Sequence, residues 1–395
     1  MAPGEPLFSA VSSNAHHLYT LLQCIGFASQ VTVQITPDGI RFSVEEGRVI
    51  QGLAFLDKAL FTSYTFNQPN TTNNGNGEPG DDDWPESAES YPHFVISLTA
   101  LLETLKIFGI NDAAGSGSNK AASVQHPSAS SAFTAPALLL DRSCILQYFQ
   151  HGSPLSITLT EAGVKTICEL TTYEPDDDEV DIPLKRDAIM MKIIMRSTWL
   201  HNAISELDAT NPSILKVSAS AKQAPFFTLS GSGGPFSESV VEFSIDPQQQ
   251  QQDTQNVAHG SQPQPTTHHK VLADDGTSRS RAKRAKLAPT VTETFLVSPP
   301  SSMGSRIEQN YRFPLLRKAA RAMAVANKVS IRGDRQGVLS LQFMIELDEN
   351  GPSNNKLSKE STKGGKVTFV DFRFVPLLDE NEDEGEAREE EDFDA

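Results

Sequence analysis

Residues 313–345 read FPLLRKAARAMAVANKVSIRGDRQGVLSLQFMI, and a change of period inside this stretch decides the fold. At about 100° per residue, Leu315, Leu316, Ala319, Ala322, Met323 and Ala326 fall within one sector of about 120°, with Arg317, Arg321 and Lys328 on the opposite side. Pro314 suits a first helical position, where its missing N–H would be unpaired in any case. The spacing predicts a single helix over 314–328 with an alanine-rich apolar face, and small residues there let a helix lie close on a sheet. Leu339, Leu341, Phe343 and Ile345 then alternate with Ser340, Gln342 and Met344, and Gly333 to Gly337 supplies a turn. The unit is helix, strand, turn, strand. Its cationic stripe has two readings: a solvated helix face, or a surface that meets an anion.

The charge of the whole chain favours the second reading. The 395 residues carry a net charge of −17, concentrated in three places. Residues 379–395 hold eleven acids and one arginine; 174–181 and 78–89 hold six acids each and no Lys or Arg. Removing their net ten, six and six negative charges leaves the remainder at +5. A cationic stripe kept in an anionic chain points to a specific use. The length suffices for two domains, and 38% hydrophobic content for their cores. Three cysteines, Cys24, Cys144 and Cys168, show no metal or disulfide spacing and fit a reducing compartment. No apolar run approaches the roughly 20 residues that cross a bilayer, and MAPGEPLFSA lacks a signal-peptide pattern. The expectation is an intracellular protein without membrane contact.

Elsewhere the chain repeats one order of elements. Val11, Ala15, Leu18, Leu22 and Ile25 predict a helix over 12–25 ended by Gly26. Strands at 31–35, 40–44 and 49–56 follow, with Pro37 and Gly39 in the hairpin loop. After a polar insert near 67–90 come a strand at 94–98 and a helix at 98–108; after a second insert near 111–131 come strands at 144–149, 155–159 and 164–170. An acidic connector at 174–187 separates a first domain (1–173) from a second (188–376). There a strand at 188–195 leads to a helix over 198–209, which Ser197 can cap. Strands at 214–219, 226–230 and 239–245, a low-complexity insert at 246–290, the opening stretch and a strand at 367–375 complete it, before an acidic tail at 377–395. Each half runs helix, meander, insert, helix, meander, which predicts a tandem duplication.

The duplicated pattern resembles the sliding-clamp fold of the proliferating-cell nuclear antigen. It looks most like the Rad-one family, a subunit of the heterotrimeric DNA-damage checkpoint clamp (the nine-one-one clamp). The stretches that carry the resemblance are LTEAGVKTICELTTYEPDD (159–177), AISELDAT (203–210) and KVSIRGDRQGVLSLQFMIE (328–346). It covers most of residues 8–376 outside the inserts.

The resemblance implies an α+β fold of two similar domains, each with two helices inside a ring and antiparallel sheets outside. Two other clamp subunits would complete the ring around double-stranded DNA, held without sequence reading. A clamp loader and checkpoint or repair clients are the further partners implied, and no cofactor or metal. Holding DNA in this way suits long flexible cations. The candidates are Arg317, Lys318, Arg321 and Lys328, with Lys106 and Arg196 as lesser ones; the first helix offers only His16 and His17. Ring closure in the family uses edge strands, here expected at Val164, Thr166, Cys168 and Leu170 and at Ser239, Val241, Phe243 and Ile245, unless these strands are internal. A client groove beside the connector would involve Phe372, Phe374, Val375 and Pro376, although Phe372-Arg373 stands where the replicative clamp has two adjacent aromatics. Arg279, Arg281, Lys283, Arg284 and Lys286 read as a nuclear localisation signal or as a nonspecific DNA-touching patch.

Two other functions fit the sequence less well. A two-metal exonuclease needs carboxylates converging on paired ions, and the acids here cluster in the connector, inserts and tail. A nuclear scaffold or chaperone without a ring has no use for a basic helix face. The expectation is a non-catalytic clamp subunit in the nucleus.

Overall fold

The computed structural model describes residues 5–67, 91–107, 143–161, 163–175, 181–235, 238–245, 292–300, 304–347 and 366–377. Apart from Asn67 and Leu377, the expected inserts near 67–90, 111–131 and 246–290 and the tail lie outside these residues, as does the expected localisation signal at 279–286.

The first half runs β1 (Phe8–Ser12), α1 (Ala15–Cys24), β2 (Gln30–Thr36), β3 (Gly39–Glu46), β4 (Ile50–Asp57), β5 (Ser63–Phe66), β6 (His93–Ser97), α2 (Leu98–Leu105), β7 (Ser143–Tyr148), β8 (Leu155–Glu161) and β9 (Val164–Leu170). The second half runs β10 (Ile189–Arg196), α3 (Ser197–Asp208), β11 (Ile214–Ser220), β12 (Phe227–Ser232), β13 (Glu238–Glu242), β14 (Thr292–Val297) and β15 (Arg306–Arg312). It continues with α4 (Phe313–Arg317), α5 (Ala320–Val325), β16 (Lys328–Asp334), β17 (Leu339–Leu347) and β18 (Lys366–Phe374). With α4 and α5 taken together, the two lists match one for one, as a duplication requires.

The sheets repeat the match. The first half forms β5-β1-β7-β8-β9, and the second repeats it as β14-β10-β16-β17-β18; the sheet β6-β2-β3-β4 is repeated as β15-β11-β12-β13. One join makes the halves a single body: β18 pairs antiparallel with β4, Phe372 opposite Gly52, and fuses two of these sheets into one of nine strands. Gly52 permits the close approach, because a Cβ there would lie 2.8 Å from the Phe27 ring. Phe372 is wholly buried, with ring centroids of Phe27, Phe343 and Phe374 at 6.1, 5.9 and 6.3 Å.

Several expectations need correction. Ser12 is the last residue of β1, and α1 begins at Ala15 with the Asn14 side chain accepting the His16 N–H at 3.0 Å. Phe8, Ala10 and Ser12 are buried in alternation, a period of two that a helical count starting at Val11 overrides. Strands β5, β14 and β15 were not foreseen; in β15 only Ile307 and Tyr311 are buried, too sparse a pattern to read without its partner β11. Ser197 does not cap α3: it is fully buried inside the helix and its hydroxyl donates to the Met323 carbonyl at 2.8 Å. The helix expected over 314–328 is two. At 318–319 the turn tightens, Lys318 N–H bonding Leu315 O and Ala319 N–H bonding Leu316 O, before α5 resumes. It ends before Lys328, because Asn327 N–H already bonds Met344 O and Lys328 pairs with Met344 as the first residue of β16.

Candidate nucleic-acid interface

The helices form one row on one side of the sheets. α2 packs on α1, α1 meets α5, and α5 packs on α3, so the row crosses the join between the halves. The buried faces include residues that the sequence pattern marks: Leu18 and Leu22 of α1, Leu98, Leu101 and Leu105 of α2, Leu200, Ile204 and Leu207 of α3, and Leu316, Ala322 and Met323 of α4 and α5.

The expected DNA-facing cations, Arg196 apart, are held by neighbours. Arg317 lies 3.3 Å from the Asp208 carboxylate at the end of α3. Arg321 donates to the Gln23 side chain at the end of α1, and Lys318 pairs with Glu46 at the end of β3. The Lys318 ammonium also sits 5.5 Å from the centre of the Phe27 ring. Lys328 departs from the helical row and pairs with Glu293 of β14 at 2.8 Å. Lys106 bonds Glu103 at 2.9 Å and lies 5.6 Å from the Tyr19 ring centre. Arg196 ends β10, exposed, and has no ion-pair partner among the described residues. Arg317, Lys318 and Arg321 thus converge where α1, α3, α4 and α5 meet. Their acceptors Gln23 and Glu46 are about 270 to 300 positions away in sequence, and no local pattern could have named them. On the same row His16 lies 3.4 Å from Thr20, and His17 3.0 Å from Asn14.

The edges are the second element of the site. β9 ends the sheet β5-β1-β7-β8-β9 and β13 ends β13-β12-β11-β15, so among the described residues each pairs on one side only. Their equivalents in the other half, β18 and β4, pair with each other. On β9, Val164 is exposed, Thr166 and Cys168 are half-buried and Leu170 is buried. On β13, Ser239 and Val241 are half-buried and Val240 points outward. Phe243 and Ile245 lie beyond β13. Phe243 is buried and stacks on Phe227 at 4.9 Å, which removes it from any edge, and Ile245 packs against the core.

The expected client groove is also corrected. Phe372 and Phe374 are core residues under the join, and only Val375 and Pro376 remain half-exposed, with Val375 N–H bonding Val49 O at 3.0 Å. Alternation along β18 turns both aromatics toward the helices and Arg373 away from them. Arg373 donates to the Ile182 carbonyl at 2.7 Å, while Ile182 N–H reaches the Gln51 side chain at 3.1 Å. Asp181 accepts from Gln51 at 2.6 Å and pairs with Arg41, and Lys185 N–H bonds Asp334 at 3.0 Å. The connector is therefore fastened across β3, β4, β18 and the β16–β17 turn. Burial alone would raise the pKa of Asp181, but Arg41, Gln51 and Arg373 outweigh it and hold that carboxyl below its ordinary value. Burial pushes Asp371 the other way, above its ordinary value, despite Ser340 and Arg373 beside it.

Among the described residues no three His, Cys, Asp or Glu side chains are placed to hold a metal ion, and no helix is long and apolar enough to cross a membrane. Burial pushes the thiols of Cys24 and Cys144 up to about 12.

Comparison with known proteins agrees with this geometry. The chain is 29% identical to the DNA damage checkpoint control protein rad1 of Schizosaccharomyces pombe over 383 residues, 96% of this chain and 89% of that protein. It is 26% identical to the human cell cycle checkpoint protein RAD1 over 371 residues, 93% and 92% of the two chains. A shorter match, 27% over 204 residues, links 51% of it to 39% of a Mycosarcoma maydis protein named DNA repair exonuclease REC1. Among solved structures, PCNA from Thermococcus kodakaraensis superposes with a TM-score of 0.51 at 13% identity, over 94% of this chain and all of that one, which establishes the sliding-clamp fold. The profile of the family described as Repair protein Rad1/Rec1/Rad17 matches residues 7–345, and with the fold and the residues that build it this places the chain in the Rad1/Rec1/Rad17 repair-protein family.

Proposed function

We propose that this chain is a non-catalytic subunit of a heterotrimeric ring that encircles double-stranded DNA in the nucleus and recruits partners in the DNA-damage checkpoint and in repair. The observation that carries this reading is the pairing of β18 with β4 beside the unpaired equivalents β9 and β13. A repeat that joins head to tail inside one chain, and leaves the same two edges open at its ends, is built to continue the joint with other chains. Continued head to tail, such joints close into a ring when the rotation per unit allows it. The helix row then lines the hole, and Arg317, Lys318 and Arg321 face the phosphates. Neighbours already hold all three side chains, so binding exchanges one acceptor for another.

The names of the relatives, checkpoint control proteins in yeast and human, support the checkpoint assignment. A clamp loader and client proteins are the partners this function requires, and 279–286 is the segment we assign to nuclear import. Co-purification followed by mass measurement tests the reading: a stable 1:1:1 complex with two other clamp subunits is expected, and a monomer that never assembles overturns it.

One relative is named an exonuclease, so catalysis needs its own test. Many carboxylates of the described residues serve ion pairs: Glu46, Glu103, Asp181, Asp208 and Glu293 each hold a cation. Pure protein is expected to leave end-labelled DNA intact with magnesium or manganese; robust digestion lost on one carboxylate substitution establishes the enzyme instead.

A further inference from the structure

The face of the nine-stranded sheet opposite the helices carries a second group of cations, of which only Arg373 has an ion-pair partner among the described residues. Strand register places Leu296 of β14, Lys192 of β10, Arg332 of β16, Ser340 of β17 and Arg373 of β18 in one row. Directly opposed residues of antiparallel strands share a face. Their neighbours Ile193, Ile331, Leu341 and Phe372 are buried on the other side, where α3 packs on β10 and β16 and α5 on β17. With strands about 4.8 Å apart, Leu296, Lys192 and Arg332 span roughly 10 Å. Arg186, in the short 3-10 turn that leads into β10, adds a third cation.

Charge in this group is only partly balanced, by Asp187 next to Arg186 in the same turn and by Asp371 near Arg332 and Arg373. Arg373 has Asp371 at 3.3 Å and the Ile182 carbonyl, so it is occupied. Arg332 bonds only neutral groups, Ser330 and Gln342. Burial lowers its pKa, Asp371 pulls it up and Arg186 pushes it down again, so the two guanidinium groups feel each other. Lys192 and Arg186 have no ion-pair partner among the described residues. Every cation proposed for the ring's inside, Arg196 apart, has an acceptor beside it.

The geometry points to an outer docking site for an acidic peptide segment of a partner protein, its carboxylates on Arg186, Lys192 and Arg332 and an apolar side chain on Leu296. Leu296 decides between a peptide and a nucleic acid. It is 53% exposed in the same row as the cations, and a duplex backbone offers it no apolar counterpart, whereas an acidic peptide offers both chemistries. The site needs only the folded subunit, so it stands or falls separately from ring assembly.

Fluorescence anisotropy on the full chain tests this with a labelled short peptide in which aspartates and leucines occur on the same extended face, the same peptide with asparagine for aspartate, and a duplex DNA competitor. Saturable binding of the acidic peptide is expected, weakened about tenfold by the double variant Lys192→Glu with Arg186→Glu. Arg321→Glu on the helix row leaves it unchanged, and the asparagine peptide does not bind. Thermal melting confirms that each variant is folded. Absence of binding, equal binding to the double variant, or displacement by duplex as effective as by unlabelled peptide overturns the proposal.

Discussion

The joint between β18 and β4 and the open strands β9 and β13 are the same structural position, once filled and twice left empty. β18 brings Val370, Phe372 and Phe374 to the joint, all buried, and Gly52 on β4 makes room for them. β9 turns Lys165, Ile167 and Glu169 outward instead, and β13 turns out Glu238, Val240 and Glu242. Charged residues on an open strand discourage indiscriminate pairing while leaving the backbone groups available to a matched partner. Where the joint stabilises the chain itself, aromatic burial holds it; where the strand ends its sheet, charge and a few exposed aliphatics line the edge.

The largest effect expected from breaking this contrast is at the filled joint. Phe372→Ala removes a fully buried ring and is expected to cost about 3–5 kcal/mol in the unfolding free energy of the isolated chain, read by denaturant titration. Ile167→Asp on β9, where the residue is 57% exposed, is expected to change that free energy by no more than about 0.5 kcal/mol. An equal cost at both positions would erase the contrast.

Assembly is expected to respond in the opposite order. Ile167→Asp and Val240→Asp should each weaken heterotrimer formation by at least about tenfold, roughly 1.4 kcal/mol, in sedimentation or native mass measurement. Cys168 sharpens the same comparison: half-buried on β9, it should react with a thiol reagent in the isolated chain and be protected in the complex, while Cys24 and Cys144 stay unreactive in both.

A smaller effect per residue is expected on the helix row. Arg317→Glu together with Arg321→Glu should leave the melting temperature nearly unchanged and reduce the salt slope of DNA retention by the assembled ring by about two. Unchanged retention across a salt series would count against DNA passing along that row.

The smallest effect concerns the connector. Asp181→Asn is expected to cost about 0.5–1 kcal/mol at neutral pH, discounted because both partners of its ion pair are partly exposed. The folded carboxyl has a pKa below its ordinary value, so its contribution is present above about pH 4 and disappears as pH falls through the folded value. Wild type and variant should therefore converge in acid, and a difference that persisted there would assign the effect to packing.

Much of this was legible before any coordinates. The repeat of element order, the buried faces of all four helical segments and the two terminal strands β9 and β13 follow from periodicity, because a residue's inward or outward direction along a helix or strand is local. Resemblance supplied the reason to regard those two strands as edges. Where periodicity misled, a partner distant in sequence was responsible. Lys328 continues a helical count, yet Met344 had already claimed its backbone for a sheet. Phe372 and Phe374 looked like groove residues by position, yet the β4 strand, more than 300 residues earlier, buries them.

The sequence by itself determined which residues turn inward, where charge accumulates, and that one unit occurs twice. Only the tertiary structure decided what each outward residue meets. It set Arg317 against Asp208, Lys318 against Glu46 and Arg321 against Gln23, left Lys192 and Arg186 without ion-pair partners among the described residues, and joined β18 to β4 while leaving their equivalents β9 and β13 at sheet ends. The physical reason is that direction is fixed by the local backbone period, whereas pairing depends on how distant segments are brought together when the sheets close.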